Sequence, residues 1–224
     1  MLKNGIKIIL KNRISFFLIF LTTVVLPFID IKHFGLISSY QPYIFRFVNQ
    51  YFFISIILPF IVGTIYSEKT VSIIDNHLTV YCKDKSGVVH SLLKACYIIV
   101  SLMFFIGVIL RSILNYLVNK ITFLRGDIIH IILGEILILS IIYFMFYLRI
   151  KFTKSIIVYS VYFGILLIML TINNFYITMP ITIKIAENPR FLFLNPANVF
   201  VLIPRILILV ELIILYFKNL KRNG

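Results

Sequence analysis

The chain is poor in the residues from which soluble enzymes build their sites. Its 224 residues include eight acidic residues, two cysteines, nine glycines and no tryptophan. Two cysteines are too few for a framework of disulfides. The sequence also lacks a phosphate-binding P-loop, a His-Glu-x-x-His zinc motif and a Gly-x-Ser-x-Gly nucleophile turn. We therefore expect no ATP hydrolysis by this chain alone, and none of these catalytic devices.

Most residues of the chain are apolar. They make up 61% of the chain, and the mean hydropathy is +1.04. About 20 apolar residues in a helix cross a bilayer core of ~30 Å, because a helix rises about 1.5 Å per residue. Six runs have this length, and the first is expected to be retained rather than cleaved: residues 14–31, 47–66, 91–110, 128–148, 155–177 and 199–217. The sequence predicts an all-α polytopic membrane protein with six transmembrane helices in one membrane domain.

The basic residues predict the orientation of these helices. Of the 22 lysines and arginines, 14 fall on the side that both termini share and eight on the opposite side. Cytoplasmic loops carry the excess of positive charge, so both termini are expected in the cytoplasm of a bacterial cell whose plasma membrane holds the chain. The net charge of +14 is then explained by topology and anionic lipid, and no nucleic-acid partner is expected.

Residues 2–13, before the first run, form an amphipathic pattern. Lys3, Lys7 and Lys11 share one face of a helix, and aliphatic residues take the other. The pattern predicts an interfacial helix that lies in the plane of the membrane surface. An ordinary basic flank of the first span is the open alternative.

The longest cytoplasmic connection, residues 67–90, has a helical pattern of its own. One face carries apolar residues and the other polar ones: Val71, Ile74, Leu78 and Tyr81 against Glu68, Ser72, Asp75 and Thr79. Charge and glycine at residues 83–87 are expected to break this helix. A helix of about three turns has marginal stability in water, so it needs a membrane surface or a partner protein to pack against. We interpret it as a docking helix, and a linker folded on the bilayer is the alternative.

The residues around this connection resemble a known family. They are Gly63-Thr64-Ile65-Tyr66-Ser67-Glu68-Lys69-Thr70, then Ile73, Ile74 and Leu78, and finally Ser91-Leu92-Leu93-Lys94. The pattern is similar to the permease subunits of type-2 ABC exporters, particularly the small ones of bacteriocin and lantibiotic self-protection. The resemblance implies that Glu68 is the acidic residue ending the second helix, residues 70–82 the coupling helix and Lys94 the lysine opening the third. The family's Pro-Ser-Arg-like run is replaced here by residues 83–87.

The resemblance also implies partners and a mechanism. Two permease subunits, identical or related, would form the pathway, and separate ATPase subunits would supply ATP, with no cofactor bound by this chain. The candidates for ATPase docking are Glu68, Val71, Ile74, Asp75, Leu78 and Lys94. An amphipathic peptide or a hydrophobic drug is the expected substrate, with export or immunity left open.

The outer connection, residues 178–198, is apolar but contains three prolines, which stop helices. Non-helical backbone at membrane depth must be surrounded by protein or line a cavity. The segment predicts a re-entrant hairpin at the outer face, similar to the exit-side helices of the same exporters. A plain outer loop is the alternative.

The ionisable residues within or at the ends of the predicted spans include Arg111, Glu135, Arg205 and Glu211. A charge at mid-bilayer costs about 2.5–3.5 kcal/mol, so each is expected to face protein or water. Arg111 and Glu135 are predicted at similar depth on neighbouring antiparallel helices. Glu211 is expected to meet another helix or a dimer partner. Structural pairing and a place along a substrate path both stay open.

Two other classes of function compete with the exporter. A membrane peptidase would use a cysteine activated by histidine, and the candidates are His77, Cys82, His90 and Cys96. A separation of five residues turns two side chains about 140° apart on a helix, which is poor geometry for His77 and Cys82. A non-transporting immunity protein that binds a peptide in the bilayer is the other alternative, and it has no use for a docking helix.

Overall fold

The computed structural model describes residues 17, 20 and 21 and the ranges 56–73, 85–119, 125–178 and 202–223. These ranges are almost entirely helical, and they contain no strand. Their helices are α1 (56–65), α2 (Glu68–Ile73), α3 (Lys85–Asn119), α4 (Arg125–Lys151), α5 (Ser155–Thr178) and α6 (Leu202–Asn223). The prediction of an all-α protein is confirmed for this part of the chain.

Helix α3 is much longer than its predicted span of residues 91–110. It begins at Lys85, so the predicted break at residues 83–87 is wrong for its last three positions. Gly87 lies in the first turn of α3, where the N–H groups have no intrahelical acceptor. A glycine there destabilises the helix less than a glycine in its middle. The Gly87 carbonyl also accepts a hydrogen bond of 2.7 Å from the Ser91 hydroxyl. At the other end, α3 continues nine residues beyond position 110 to Asn119.

Helix α4 lies at the centre of the packing. It contacts α6 most extensively, then α3, and α5 least. The largest fully buried side chains come from four helices, α1, α3, α4 and α6: Ile61 and Ile65, Leu93 and Phe104, Ile138, Ile142, Met145 and Phe146, and Tyr216. Helix α1 joins α5 through Phe60, whose ring centroid lies 5.2 Å from that of Tyr159 and 5.3 Å from that of Phe163.

Aromatic contacts bring the predicted inner ends of four helices together. Tyr66, directly after α1, stacks on Phe146 of α4 at 4.9 Å between ring centroids. Tyr143 of α4 meets Tyr216 of α6 at 5.3 Å, and His90 of α3 lies 6.2 Å from the same tyrosine. We call this end of the helices, which also contains the turn between α4 and α5, the inner end. The meeting of these residues agrees with the alternating direction predicted for the helices.

One helix in the described ranges, Ser86–Leu110, is long and apolar enough to cross a membrane, with a mean hydropathy of 2.4 and half of its most apolar window buried. The core helix of a soluble protein passes the same test of length and composition. A shorter apolar helix spans Ser155–Ile168. The six spans and the positions of the termini therefore stay predictions.

Several predicted features lie outside the described residues. They are the interfacial helix 2–13, the first span apart from residues 17, 20 and 21, the outer hairpin after Thr178, and the docking candidates Ile74, Asp75 and Leu78. The side chains of Val71, Arg111 and Arg205 also lie outside the described part, although their backbones belong to α2, α3 and α6.

Candidate functional site at the inner end of the helices

The start of α2 is determined by a local cap. Helix α1 closes with a hydrogen bond of 2.8 Å from the Tyr66 N–H to the Val62 carbonyl. The Ser67 hydroxyl then accepts the Thr70 N–H at 3.3 Å and lies 3.0 Å from the Thr70 hydroxyl. A serine that accepts the N–H of the third helical residue is the usual N-cap. The chain therefore leaves α1 and enters α2 within two residues.

Glu68, the first residue of α2, makes a hydrogen bond with a distant helix. The Ser155 N–H donates to Glu68 Oε1 at 2.6 Å, although the two residues are 87 positions apart in sequence. Ser155 is the first residue of α5. The first N–H groups of a helix have no intrahelical acceptor and carry partial positive charge, so a carboxylate is favourable there. Glu68 thus caps α5 from another element.

Arg149 makes a second connection between the same elements. Its Nε donates to the Tyr66 carbonyl at 2.9 Å, and its Nη1 donates to the Thr153 carbonyl at 2.8 Å. The side chain is buried, with 6% of its surface exposed, and its Nη2 has no hydrogen-bond acceptor among the described residues. We call Tyr66, Glu68, Arg149, Thr153 and Ser155 the inner bracket. It ties the α1–α2 junction to the turn between α4 and α5.

The electrostatics of the bracket favour ionised Glu68. The hydrogen bond from the Ser155 N–H is the largest cause that lowers the pKa of Glu68 below its usual 4.5, and the charges of Arg149 and Lys154 add to it. A carboxyl whose pKa is lowered on folding contributes stability above its unfolded pKa. That contribution is lost as the pH falls through the lowered value. The cap is therefore complete near neutral pH and weakens in acid below pH 4.5.

The bracket encloses little space. A cavity of about 10 Å³, room for about one water molecule, is lined by Val62, Gly63, Tyr66, Met145, Arg149, Ser155, Val158 and Tyr159. No group of three or more His, Cys, Asp or Glu side chains in the described ranges is placed to hold a metal ion. The geometry of the bracket suits a mechanical connection between helices rather than a pocket for a substrate.

The docking candidates predicted from sequence are only partly described. Glu68 belongs to the bracket, and Lys94 is exposed on α3. The sequence pattern does not single out Arg149 or Ser155, because a basic residue after an apolar run indicates topology first of all. A signal was present: Arg149 follows an apolar run directly, where a long side chain can turn back to the carbonyls at a helix end.

Glu135 of α4 has different partners from the predicted one. Its Oε2 accepts the Ser101 hydroxyl at 2.5 Å and the Tyr97 hydroxyl at 3.2 Å, both from α3. Arg111 is ten residues beyond Ser101, or about 15 Å along the helix. The predicted common depth of Arg111 and Glu135 is therefore wrong. The neighbouring Gly134 agrees with this register, since a Cβ there would lie 2.5 Å from Phe104 Cζ.

The other carboxylate oxygen of Glu135, Oε1, is buried and accepts no hydrogen bond from the described residues. Glu211 is exposed on α6, among the exposed apolar side chains Leu207, Val210 and Ile214. The roles predicted for Glu135, Arg205 and Glu211, either structural pairing or a substrate path, stay predictions.

Of the four peptidase candidates, His90 and Cys96 belong to the described residues. Cys96 has none of its surface exposed and packs in the apolar core. His90 lies at the inner end, 5.3 Å from the ring of Phe217, while His77 and Cys82 lie outside the described residues. A thiol that no substrate can reach does not act as a nucleophile, so Cys96 is explained as a small core residue.

No known protein family, curated protein or solved structure matches this chain.

Proposed function

We propose that this chain is the membrane-spanning permease subunit of an ABC exporter, served by a separate ATPase. The observation that carries the proposal is the placement of α2. This short helix, which has the position of a coupling helix in the resemblance, follows the inner end of α1 directly and is connected to α4 and α5 by the inner bracket. A force applied to α2 would therefore act on the main helices.

Exposed apolar side chains support a membrane location. Helices α3, α5 and α6 each expose large aliphatic residues, among them Leu102, Ile109, Ile156, Leu167, Leu207 and Ile214. Soluble monomers rarely expose apolar patches of large extent. Basic residues gather at the inner end of the same helices: Lys151 and Lys154 are exposed at the α4–α5 turn, and Lys218 is exposed near the end of α6. Apolar walls with a basic inner end are typical of bacterial membrane proteins.

In the proposed mechanism, two permease subunits line the pathway and two ATPase subunits dock on residues 67–90. ATP-driven closure of the ATPases displaces α2 and shifts the bundle between two packings, so that substrate leaves outward. The substrate class is an amphipathic peptide or a hydrophobic drug. The chain itself binds no nucleotide, and its partners are the ATPase, a second permease chain and lipid.

The experiment is purification of the tagged chain from the membranes of its native host in mild detergent, followed by mass spectrometry. We expect a second protein with a phosphate-binding P-loop in a stoichiometric amount. Asp75→Lys, on the polar face of the predicted docking helix, should reduce its recovery several-fold. Glu187→Lys, the same charge reversal in the predicted outer hairpin, is the matched control and should leave recovery unchanged.

Two results count against the proposal. Recovery of the chain alone, or with a small peptide and no ATPase, favours the immunity protein that binds a peptide in the bilayer. Equal recovery of the ATPase with both variants places docking elsewhere on the chain.

A further inference from the structure

We infer that Glu68 is a positioning residue: when α2 is displaced, its hydrogen bond with Ser155 moves α5 as well. Helix α5 would then act as a lever that carries the movement from the inner face to the outer face. This inference rests on the proposed function. It adds the path by which movement of α2 would reach the outer face, which the resemblance does not supply. Its starting point is that α2 has only six residues. So short a helix is unstable alone, and its position depends on what holds it.

Two connections hold α2 to the same short turn. The Glu68 carboxylate caps Ser155, and Arg149 joins the Tyr66 carbonyl to the Thr153 carbonyl. Residues 66 and 68 are thus attached to residues 153 and 155. These attachments hold the start of α2 against the turn before α5 and the first residue of α5. A displacement of α2 would therefore pull on the beginning of α5.

Of the two connections, the one through Glu68 acts directly on α5. A hydrogen bond from a backbone N–H to a carboxylate is charge-assisted, and its 2.6 Å length is at the short end for such bonds. Glu68 is exposed, so solvent screens its contribution to stability. The hydrogen bond therefore matters mainly because it fixes the position of the first residue of α5.

The packing of α5 suits a lever. It contacts α4 over fewer residues than α3 or α6 does. Its middle exposes Ile165, Leu167 and Ile168, and a Cβ added at Gly164 would meet no atom within 4 Å. The contacts of α5 with α1, through Tyr159 and Phe163, lie in the half next to Ser155, so α5 would move with the end that Glu68 holds. With 24 residues, α5 is about 36 Å long, so its far end reaches the start of the predicted outer hairpin.

The test is a distance between spin labels in the purified complex with its ATPase. Labels are attached to Leu167→Cys on α5 and Leu207→Cys on α6, both exposed positions, in a Cys82→Ser background whose remaining native cysteine is the buried Cys96. We expect the distance distribution to change when a non-hydrolysable ATP analogue binds. Glu68→Ala should abolish that change, while Lys69→Ala, which alters the next exposed residue, should retain it.

Two further controls distinguish loss of the connection between α2 and α5 from a general loss of structure. The distances are compared in complexes that contain equal amounts of ATPase, so that any part of Glu68 in docking is separated from its connection to α5. Hydrogen exchange of the Ser155 amide should rise in Glu68→Ala and not in Lys69→Ala. If the analogue still changes the distance in Glu68→Ala, or changes none in the native chain with ATPase bound, the inference is overturned. If no ATPase associates, the proposed function fails, and the inference fails with it.

Discussion

Arg149→Met is expected to destabilise the protein by about 2–4 kcal/mol, one of the two largest effects that the structure predicts. Arg149 donates to two carbonyls, those of Tyr66 and Thr153, from a side chain with 6% of its surface exposed. Hydrogen bonds from charged donors contribute about 1.5–3 kcal/mol each, and a buried acceptor left unpaired costs more than a solvated one. Relief of the unpartnered Nη2 offsets part of this loss. The measurement is thermal unfolding of the purified protein in detergent.

The matched control is Lys154→Met, which removes the same charge from an exposed position in the neighbouring turn. Its effect should stay within about 0.5 kcal/mol, as for most surface substitutions. Arg149→Lys should recover little stability, because an ammonium group lacks the planar fork that reaches two carbonyls at once. Equal effects of Arg149→Met and Lys154→Met would show that the loss comes from charge alone and that the bracket is unimportant for stability.

Gly63→Ala is the second substitution with a large expected effect, about 1–3 kcal/mol of destabilisation. A Cβ at position 63 would lie 2.6 Å from Tyr159 Cζ and closer still to its hydroxyl oxygen. The ring packs against Phe60 at 5.2 Å between centroids, which restricts the directions in which it can withdraw. We expect α1 and α5 to separate and the unfolding temperature to fall in the same detergent assay.

The chain offers a close control for this substitution. Gly164 also lies in a helix, and a Cβ there meets nothing within 4 Å. Gly164→Ala should therefore leave stability unchanged or raise it by up to about 1 kcal/mol through helix propensity. Tyr159→Leu should restore much of the stability of Gly63→Ala by removing the ring. If Gly63→Ala and Gly164→Ala behave alike, the close approach of α1 and α5 is refuted.

The sequence predicts the helices well because the apolar runs are local information. The predicted spans 128–148 and 155–177 fall within α4 and α5, and the ends differ by a few residues. The largest error is α3, which extends beyond the predicted span of residues 91–110 at both ends. Apolar content indicates which residues suit lipid, whereas caps and backbone hydrogen bonds determine where a helix ends.

The partners of the charged residues are much harder to predict. Glu135 was expected to meet a residue of opposite charge, yet its Oε2 accepts two neutral hydroxyls, 34 and 38 positions away. The resemblance implies that Glu68 takes part in ATPase docking, which stays a prediction, while its described partner within the chain is the backbone N–H of Ser155. Neutral and backbone groups satisfy a carboxylate without any signal in the charge pattern. The register between helices that decides such contacts is a property of packing, which no single segment contains.

We propose that the chain crosses the membrane with the inner bracket on the cytoplasmic side. The direct measurement is labelling of single cysteines by a membrane-impermeant maleimide, with Cys82→Ser as background. Lys69→Cys and Lys154→Cys should react only after the cells are opened, and Lys120→Cys, in the predicted outer connection, should react with intact cells. Labelling of the first two from outside, or recovery of the chain in the soluble fraction, would contradict the account.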